Sequence, residues 1–168
     1  MTPPGNRRQA ERVEDIVRRS VAMGARIVAG GHRDGQFFQA TVLADVTPDM
    51  PAFNEEIFGP VAPVTVFDTD EEAVALVNSS PYGLAAAVHG TSMARATRVA
   101  SQLRAGMVHI NDQTVNNEFH VPFGGMGASG NGGRFGGPVT MSVERATGRL
   151  RRFSAEFDGS TGTAISRL

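Results

Sequence analysis

The stretch Asn54-Glu55-Glu56-Ile57-Phe58-Gly59-Pro60-Val61 sets two adjacent carboxylates against an aliphatic residue, an aromatic ring and a Gly-Pro turn. The apolar run of residues 61–67 follows at once. Burying an acid pair at the entrance to such a run is costly unless something nearby donates hydrogen bonds to it. Sugar hydroxyls are donors of that kind, and acidic side chains grip the ribose of dinucleotide cofactors in other folds. The same eight residues also fit a solvated turn in which Phe58 anchors a core.

The inventory of reactive side chains narrows the chemistry. The 168 residues contain no Cys, and all 16 basic residues are Arg, so Lys is absent too. No disulfide, thiolate metal site or cysteine nucleophile can come from this polypeptide, nor can a Schiff-base lysine or lysine general base. The four histidines, His32, His89, His109 and His120, show no paired metal-ligand spacing. His89 and His109 fall at strand ends and read as satisfied structural histidines. His120 lies beside the apolar anchors Phe119 to Phe123 and can face a pocket.

Gly125-Met126-Gly127-Ala128-Ser129-Gly130 has the spacing G-x-G-x-x-G, but its context is wrong for a dinucleotide fingerprint. That motif leaves a strand and opens an apolar helix, with an acid about 20 residues on. Here Pro122-Phe123-Gly124 precedes it and more glycine follows. Ser129 misses the nucleophile-elbow pattern by one position and reads as a turn serine.

The elements that must position these residues follow from periodicity. Residues 11–23 read as an amphipathic helix with Val13, Ile16, Val17 and Val21 on one face and Gly24 at its end. Residues 26–29 and 37–43 read as strands, and Pro48 and Pro51 mark the loop into the acidic stretch. Residues 61–67 form a further strand, with Pro63 pointing to an edge or bulge. A helix begins at 68–72, where Thr69 and Glu72 stand at capping-box spacing and Ala73, Val74, Leu76 and Val77 supply the apolar face. Residues 84–89 are a strand. Thr91 or Ser92 caps a helix with Met93, Ala96, Ala100 and Leu103 on one stripe, and residues 107–110 are the next strand. Strand-helix alternation with short connections predicts an α/β fold, a mostly parallel sheet flanked by helices. Residues 111–137 read as a long loop whose eight glycines all lie between 124 and 137. Its spaced Phe and Val anchors point to a functional loop more than a linker.

Composition sets the remaining bounds. A hydrophobic content of 40% with 20% charged residues is that of an ordinary globular domain with a real core. A net charge of −1 gives no basic footprint for nucleic acid and no general attraction to anionic lipid. Neither a membrane span nor the apolar core of a signal peptide is present, so the expectation is a cytoplasmic protein without nucleic-acid or membrane partners.

Six segments in series carry a family resemblance: a helix ending in MGARIVAGG, then ATVLADVTPDM, EEIFGPVAPVTVF, NSSPYGLAAAVHGTS, LRAGMVHIN and PFGGMGASGNGGRFGG. In this order they resemble the C-terminal part of the aldehyde dehydrogenase catalytic domain, and NDQTVNNEFHVPFGG is most similar to the benzaldehyde and vanillin dehydrogenase branch. The resemblance implies an NAD- or NADP-dependent oxidation of an aromatic aldehyde to its carboxylic acid. It implies that Glu56 holds the nicotinamide ribose hydroxyls, that Phe58 packs at the nicotinamide end, and that Phe123 lines the aldehyde pocket, with His120 on the loop approaching it.

The departures imply as much. The family's cysteine nucleophile, general-base glutamate, oxyanion-binding asparagine and Gly-rich adenosine half all precede the matched region. The expectation is therefore a partial catalytic domain over residues 1–138, inactive alone, with a divergent tail over 139–168 that reads as disordered or frame-shifted, as from a truncated gene. The alternative is a non-catalytic binding or assembly module. A part of a domain exposes sheet edges and apolar faces, which favours partners or aggregation, so a homo-oligomer or docking to a Cys-bearing dehydrogenase subunit is the partner expectation that goes with this alternative.

Overall fold

A computed structural model describes residues 6–116, 123–130 and 132–135, together with two short strands nearer the C-terminus. The chain divides into two compact units, Met1–Phe67 and Asp68–Leu168, each with its own core.

The first unit is built on helix α1 (Arg7–Ala22). It starts earlier than apolar periodicity predicts, because Asn6 accepts a hydrogen bond from the Gln9 N–H and caps a first turn that carries no apolar signal. Its buried face is Ala10, Val13, Ile16, Val17 and Ser20, while Val21, expected there, is exposed. Ser20 stands two turns beyond Val13 and takes the inward place. Strands β1 (Arg26–Ala29), β2 (Arg33–Asp34), β3 (Phe37–Phe38) and β4 (Thr41–Ala44) follow, then the short helix α2 (Pro51–Asn54) and strand β5 (Val61–Pro63).

The single strand expected over 37–43 is broken in two. Thr41 Oγ1 accepts from the Gly31 N–H and donates to the Gln39 carbonyl, so the chain turns there. Gly30 makes the approach possible, because a Cβ on it would lie 2.1 Å from the Ala40 carbonyl oxygen. In the sheet β1-β4-β5, β4 is antiparallel to β1 and parallel to β5. Strand β5 ends at Pro63, short of the 61–67 expected, although the Val64 N–H just past it still donates to the Leu43 carbonyl at 2.8 Å. Val13, Ile16 and Val17 of α1 close over Phe38, Leu43, Val46 and Met50 to form the core.

The second unit opens with α3 (Asp70–Asn78). Thr69 accepts from the Glu72 N–H, and the Glu72 carboxylate reaches back to the Asp68 N–H. Strands β6 (Tyr82–Gly83) and β7 (Ala85–His89), helix α4 (Met93–Ala100) and strand β8 (Met107–Ile110) come next. Ser92 is the cap of α4, and Met93, expected on its inner stripe, is exposed at the first turn. Strands β7 and β8 pair in parallel, and Ala86, Val88, Val108 and Ile110 pack with Ala96, Val99, Ala100 and Leu103.

The glycine-rich stretch expected to be loop contains β9 (Phe123–Gly127) and β10 (Gly132–Phe135), which pair antiparallel, and β9 also pairs with β6. Strands β11 (Gly148–Leu150) and β12 (Ala164–Arg167) flank β8 and β7, giving the order β11-β8-β7-β12. The rest of residues 139–168 lies outside the described residues. The α/β architecture is as expected. Its sheets are mixed, not mostly parallel: β4–β5, β7–β8 and β8–β11 are parallel, and the other pairings are antiparallel. Short hairpin turns at Gly35 and after β9 account for two of the antiparallel pairs.

Candidate functional site

In the first unit the acidic stretch runs back along α1, tied to it at intervals. Ser20 Oγ accepts from the Ala52 N–H at 2.9 Å, a buried bond. At the residue just before Ser20, Arg19 Nη2 meets Glu55 Oε1 at 2.8 Å while its Nε meets Asp15 Oδ2 at 2.8 Å. Glu55 and Asp15 together hold the Arg19 guanidinium above its ordinary pKa, and Arg18 and Arg19 hold the Asp15 carboxyl below its own. Gly59 lies against Val13 so closely that a Cβ on it would sit 2.6 Å from Val13 Cγ2. Gln9 Nε2 then donates to the Ile57 carbonyl at 3.0 Å and to the Phe58 carbonyl at 3.1 Å.

This lacing treats the two acids differently. Glu55 is half-buried and engaged by Arg19, whereas Glu56 is exposed and pairs with no described residue. Phe58, suggested by the turn reading as a core anchor, is instead 65% exposed and has φ +48°. A left-handed backbone at a bulky residue costs about 1–2 kcal/mol, and two hydrogen bonds of roughly 1 kcal/mol each can offset it. A strained, exposed aromatic thus stands two residues from a carboxylate that pairs with no described residue. The carboxylate accepts from hydroxyls, and the ring offers an apolar face.

Of the other candidate residues, Phe123 opens β9 in the second unit and is half-buried, and His120 lies outside the described residues. Glu56 and Phe58 thus share one loop of the first unit, and Phe123 belongs to the second. The loop beginning at Asn111 is anchored in a way that its sequence does not announce. Asn111 has φ +55°, donates to the Gly90 carbonyl at 3.0 Å and accepts from the Gly90 N–H at 2.8 Å. The available signal is an Asn directly after a strand, since Asn tolerates the left-handed region.

The remaining motifs resolve without chemistry. Gly125 and Gly127 lie in strand β9, and no helix follows them among the described residues. Ser129 Oγ accepts from the Gly83 N–H at 3.1 Å, the behaviour of a turn serine. Among the described residues no three His, Asp or Glu side chains are grouped to hold a metal, and no helix is long and apolar enough to cross a membrane. His109, expected to be satisfied at a strand end, is instead within β8, 3% exposed, with no hydrogen-bond partner at either ring nitrogen among the described residues. Burial pushes its pKa down, and the charge of Asp112 acts in the opposite direction.

Comparison with known proteins adds the following. A profile described as the aldehyde dehydrogenase family matches residues 1–146. The chain is 54% identical over 136 residues to a benzaldehyde dehydrogenase [NAD(+)] of Pseudomonas putida, covering 81% of this chain and 28% of that protein. A salicylaldehyde dehydrogenase from Pseudomonas putida G7, solved in complex with salicylaldehyde, superposes with a TM-score of 0.74 at 38% identity, over 79% of this chain and 27% of that one. An NADP-dependent glyceraldehyde-3-phosphate dehydrogenase from Bacillus halodurans C-125, complexed with NADP, superposes with a TM-score of 0.77 at 35% identity, over 80% and 28%. The 168 residues span little more than a quarter of the length of these relatives.

Proposed function

The chain belongs to the aldehyde dehydrogenase family, and we propose that it supplies the nicotinamide-ribose grip and part of the aldehyde pocket of an NAD- or NADP-dependent enzyme that oxidises an aromatic aldehyde to its acid. The observation that carries this reading is the contrast within the acid pair: Glu55 is consumed by Arg19, and Glu56 is presented unpaired from a pinned loop. A carboxylate has lone pairs enough for two neighbouring hydroxyls, so Glu56 suits a ribose diol. Phe58 offers its exposed ring two residues on, where it would pack at the nicotinamide end and keep water from it. A nicotinamide cofactor held by Glu56 and Phe58 would supply the hydride acceptor of the oxidation. The chain's own part is to orient it, a positioning contribution. Phe123 and His120 are proposed to line the aldehyde pocket. The benzaldehyde relative's name and the salicylaldehyde bound to a structural relative support the aromatic substrate class.

With no Cys among its 168 residues, the chain is expected to turn over no aldehyde by itself. Incubation of purified protein with benzaldehyde and NAD checks this, and reduced cofactor formed without contaminating enzyme overturns it. The grip is tested separately by titrating nicotinamide mononucleotide, which carries the ribose without the adenosine half, against the chain and its Glu56→Gln variant. The variant is expected to weaken binding about tenfold. Equal binding by both would remove Glu56 from the role.

A second reading, a non-catalytic binding or assembly module, is favoured by one observation. Val64 and Val66, just past the edge strand β5, are 45% and 72% exposed. Such residues suit docking to a Cys-bearing dehydrogenase subunit or to a second copy. Co-purification with such a subunit would support it, and a well-dispersed monomer would count against it.

A further inference from the structure

We propose that Gln9 is a positioning residue for this grip: by holding the carbonyls of Ile57 and Phe58 together, it sets the left-handed turn at Phe58 and, through it, the direction in which Glu56 is presented. The inference rests on the reading of Glu56 as the ribose ligand. In extended backbone, successive carbonyls point to opposite sides. One amide nitrogen can reach two consecutive carbonyls only if the residue between them turns, and Phe58 does so with φ +48°. The double hydrogen bond and the left-handed backbone are therefore one feature seen from two sides.

Gln9 is itself fixed from behind. Its backbone N–H donates to Asn6 Oδ1 at 2.9 Å, so the helix cap locks the turn from which the side chain reaches out. The opposite end of the stretch is fixed independently, by Arg19 on Glu55 and Ser20 on Ala52. Gly59, with no side chain to hold it off, lets the turn lie directly against Val13. Glu56 is thus the free member of a stretch held on both flanks by one face of α1. Replacing Gln9 releases one flank only. Gln9 is half-exposed and lies outside the buried face of α1, so its replacement spares the core.

The test uses the full 168-residue chain with two variants and two readouts. Gln9→Leu removes the donor at similar bulk, and Gln9→Glu puts an acceptor in its place at the same size. The backbone at Phe58 is followed by its three-bond HN–Hα NMR coupling, with the amide shifts of residues 13–20 of α1 as the internal control. The expected result is a Phe58 coupling that shifts toward the extended-chain value in both variants, with α1 unchanged. Nicotinamide mononucleotide affinity is expected to fall about tenfold in the same variants, toward that of Glu56→Gln. A Phe58 coupling equal to that of the parent overturns the clamp. A shifted coupling with unchanged nucleotide affinity makes Gln9 merely structural and overturns the positioning role. If the parent binds the nucleotide no better than Glu56→Gln, the ribose reading fails by itself, and with it the positioning role, while the coupling still decides whether Gln9 holds the turn. Should Gln9→Leu disturb α1, the size-matched Gln9→Glu decides the matter.

Discussion

The stretch 52–59 in the first unit and the strip around β9 in the second are both irregular, glycine-punctuated and close to other backbone, yet they are held in opposite ways. Residues 52–59 are held by side chains that reach across: Ser20, Arg19 and Gln9 each bond a different point of the stretch. Around β9 the holding is done by the lack of side chains. A Cβ on Gly106 would lie 1.7 Å from the Gly124 carbonyl oxygen, one on Gly83 would lie 2.5 Å from that of Arg104, and one on Gly125 would lie 2.4 Å from that of Ser129. Side-chain bonds do occur in the second unit, as between Asn111 and Gly90, but they flank this strip and do not form it. A side-chain clamp fails one bond at a time and can leave a neighbour such as Glu56 available. Backbone packed on backbone has no such partial states.

The largest expected effect follows from that difference. Gly106→Ala has to push the Gly124 backbone away, and neither partner has a flexible end to yield. It also sits at the Gly106 N–H to Gly83 carbonyl bond of 3.0 Å. We expect a loss of about 3 kcal/mol in the stability of the second unit, the upper end for overpacking, measured by urea unfolding. The counterpart in the first unit is Ser20→Ala. It deletes one acceptor and leaves the buried Ala52 N–H unpaired, with an expected cost of about 2 kcal/mol and faster exchange at Ala52. If Gly106→Ala costs less than Ser20→Ala, the contrast between the two regions is wrong.

The same contrast explains what could be read from the sequence. Where apolar residues recur with a period, the reading mostly holds: β7, β8 and the Ala96 and Ala100 face of α4 lie at or near the predicted places, as does the Thr69–Glu72 cap of α3, whereas Val21 and Met93, at the ends of their stripes, are exposed. Where glycine carries the packing there is no period to read, so β9 and β10 read as loop. Ser20 is polar and therefore dropped out of the apolar stripe, although its inward place lets it cap the Ala52 N–H. The acid pair is the sharpest case. Two identical carboxylates in sequence cannot be told apart by local pattern, and the partner that separates them, Arg19, lies 36 residues away. Gln9 is harder still, since nothing marks a helix-surface glutamine as the holder of a turn 48 residues on.

The smallest expected effect concerns the buried group that neither region supplies with a partner. His109 stands in register with Ala87 on β7 and Leu150 on β11, and neither ring nitrogen has a hydrogen-bond partner among the described residues. Burial holds its pKa below the ordinary value, against the pull of the Asp112 charge. The folded chain therefore binds fewer protons here than the unfolded chain does, and stability must fall as pH drops through the unfolded value of about 6.5. Asp15, Asp49 and Asp70 act in a separate window. Arg18 and Arg19, the Thr47 hydroxyl, and Arg95 respectively lower their pKa values, so their stabilisation is present at neutral pH and is lost only in acid, below the ordinary carboxylate range. Between pH 8 and 5 the slope removed by His109→Leu is that of the histidine alone. The substitution should raise stability by about 1 kcal/mol at pH 8, by removing unsatisfied polar atoms, and by more at pH 5. Urea unfolding at the two pH values checks both halves. Parallel curves for parent and variant would mean that His109 does not titrate differently on folding, and a clear loss at pH 8 would mean that the ring has a partner that stabilises it.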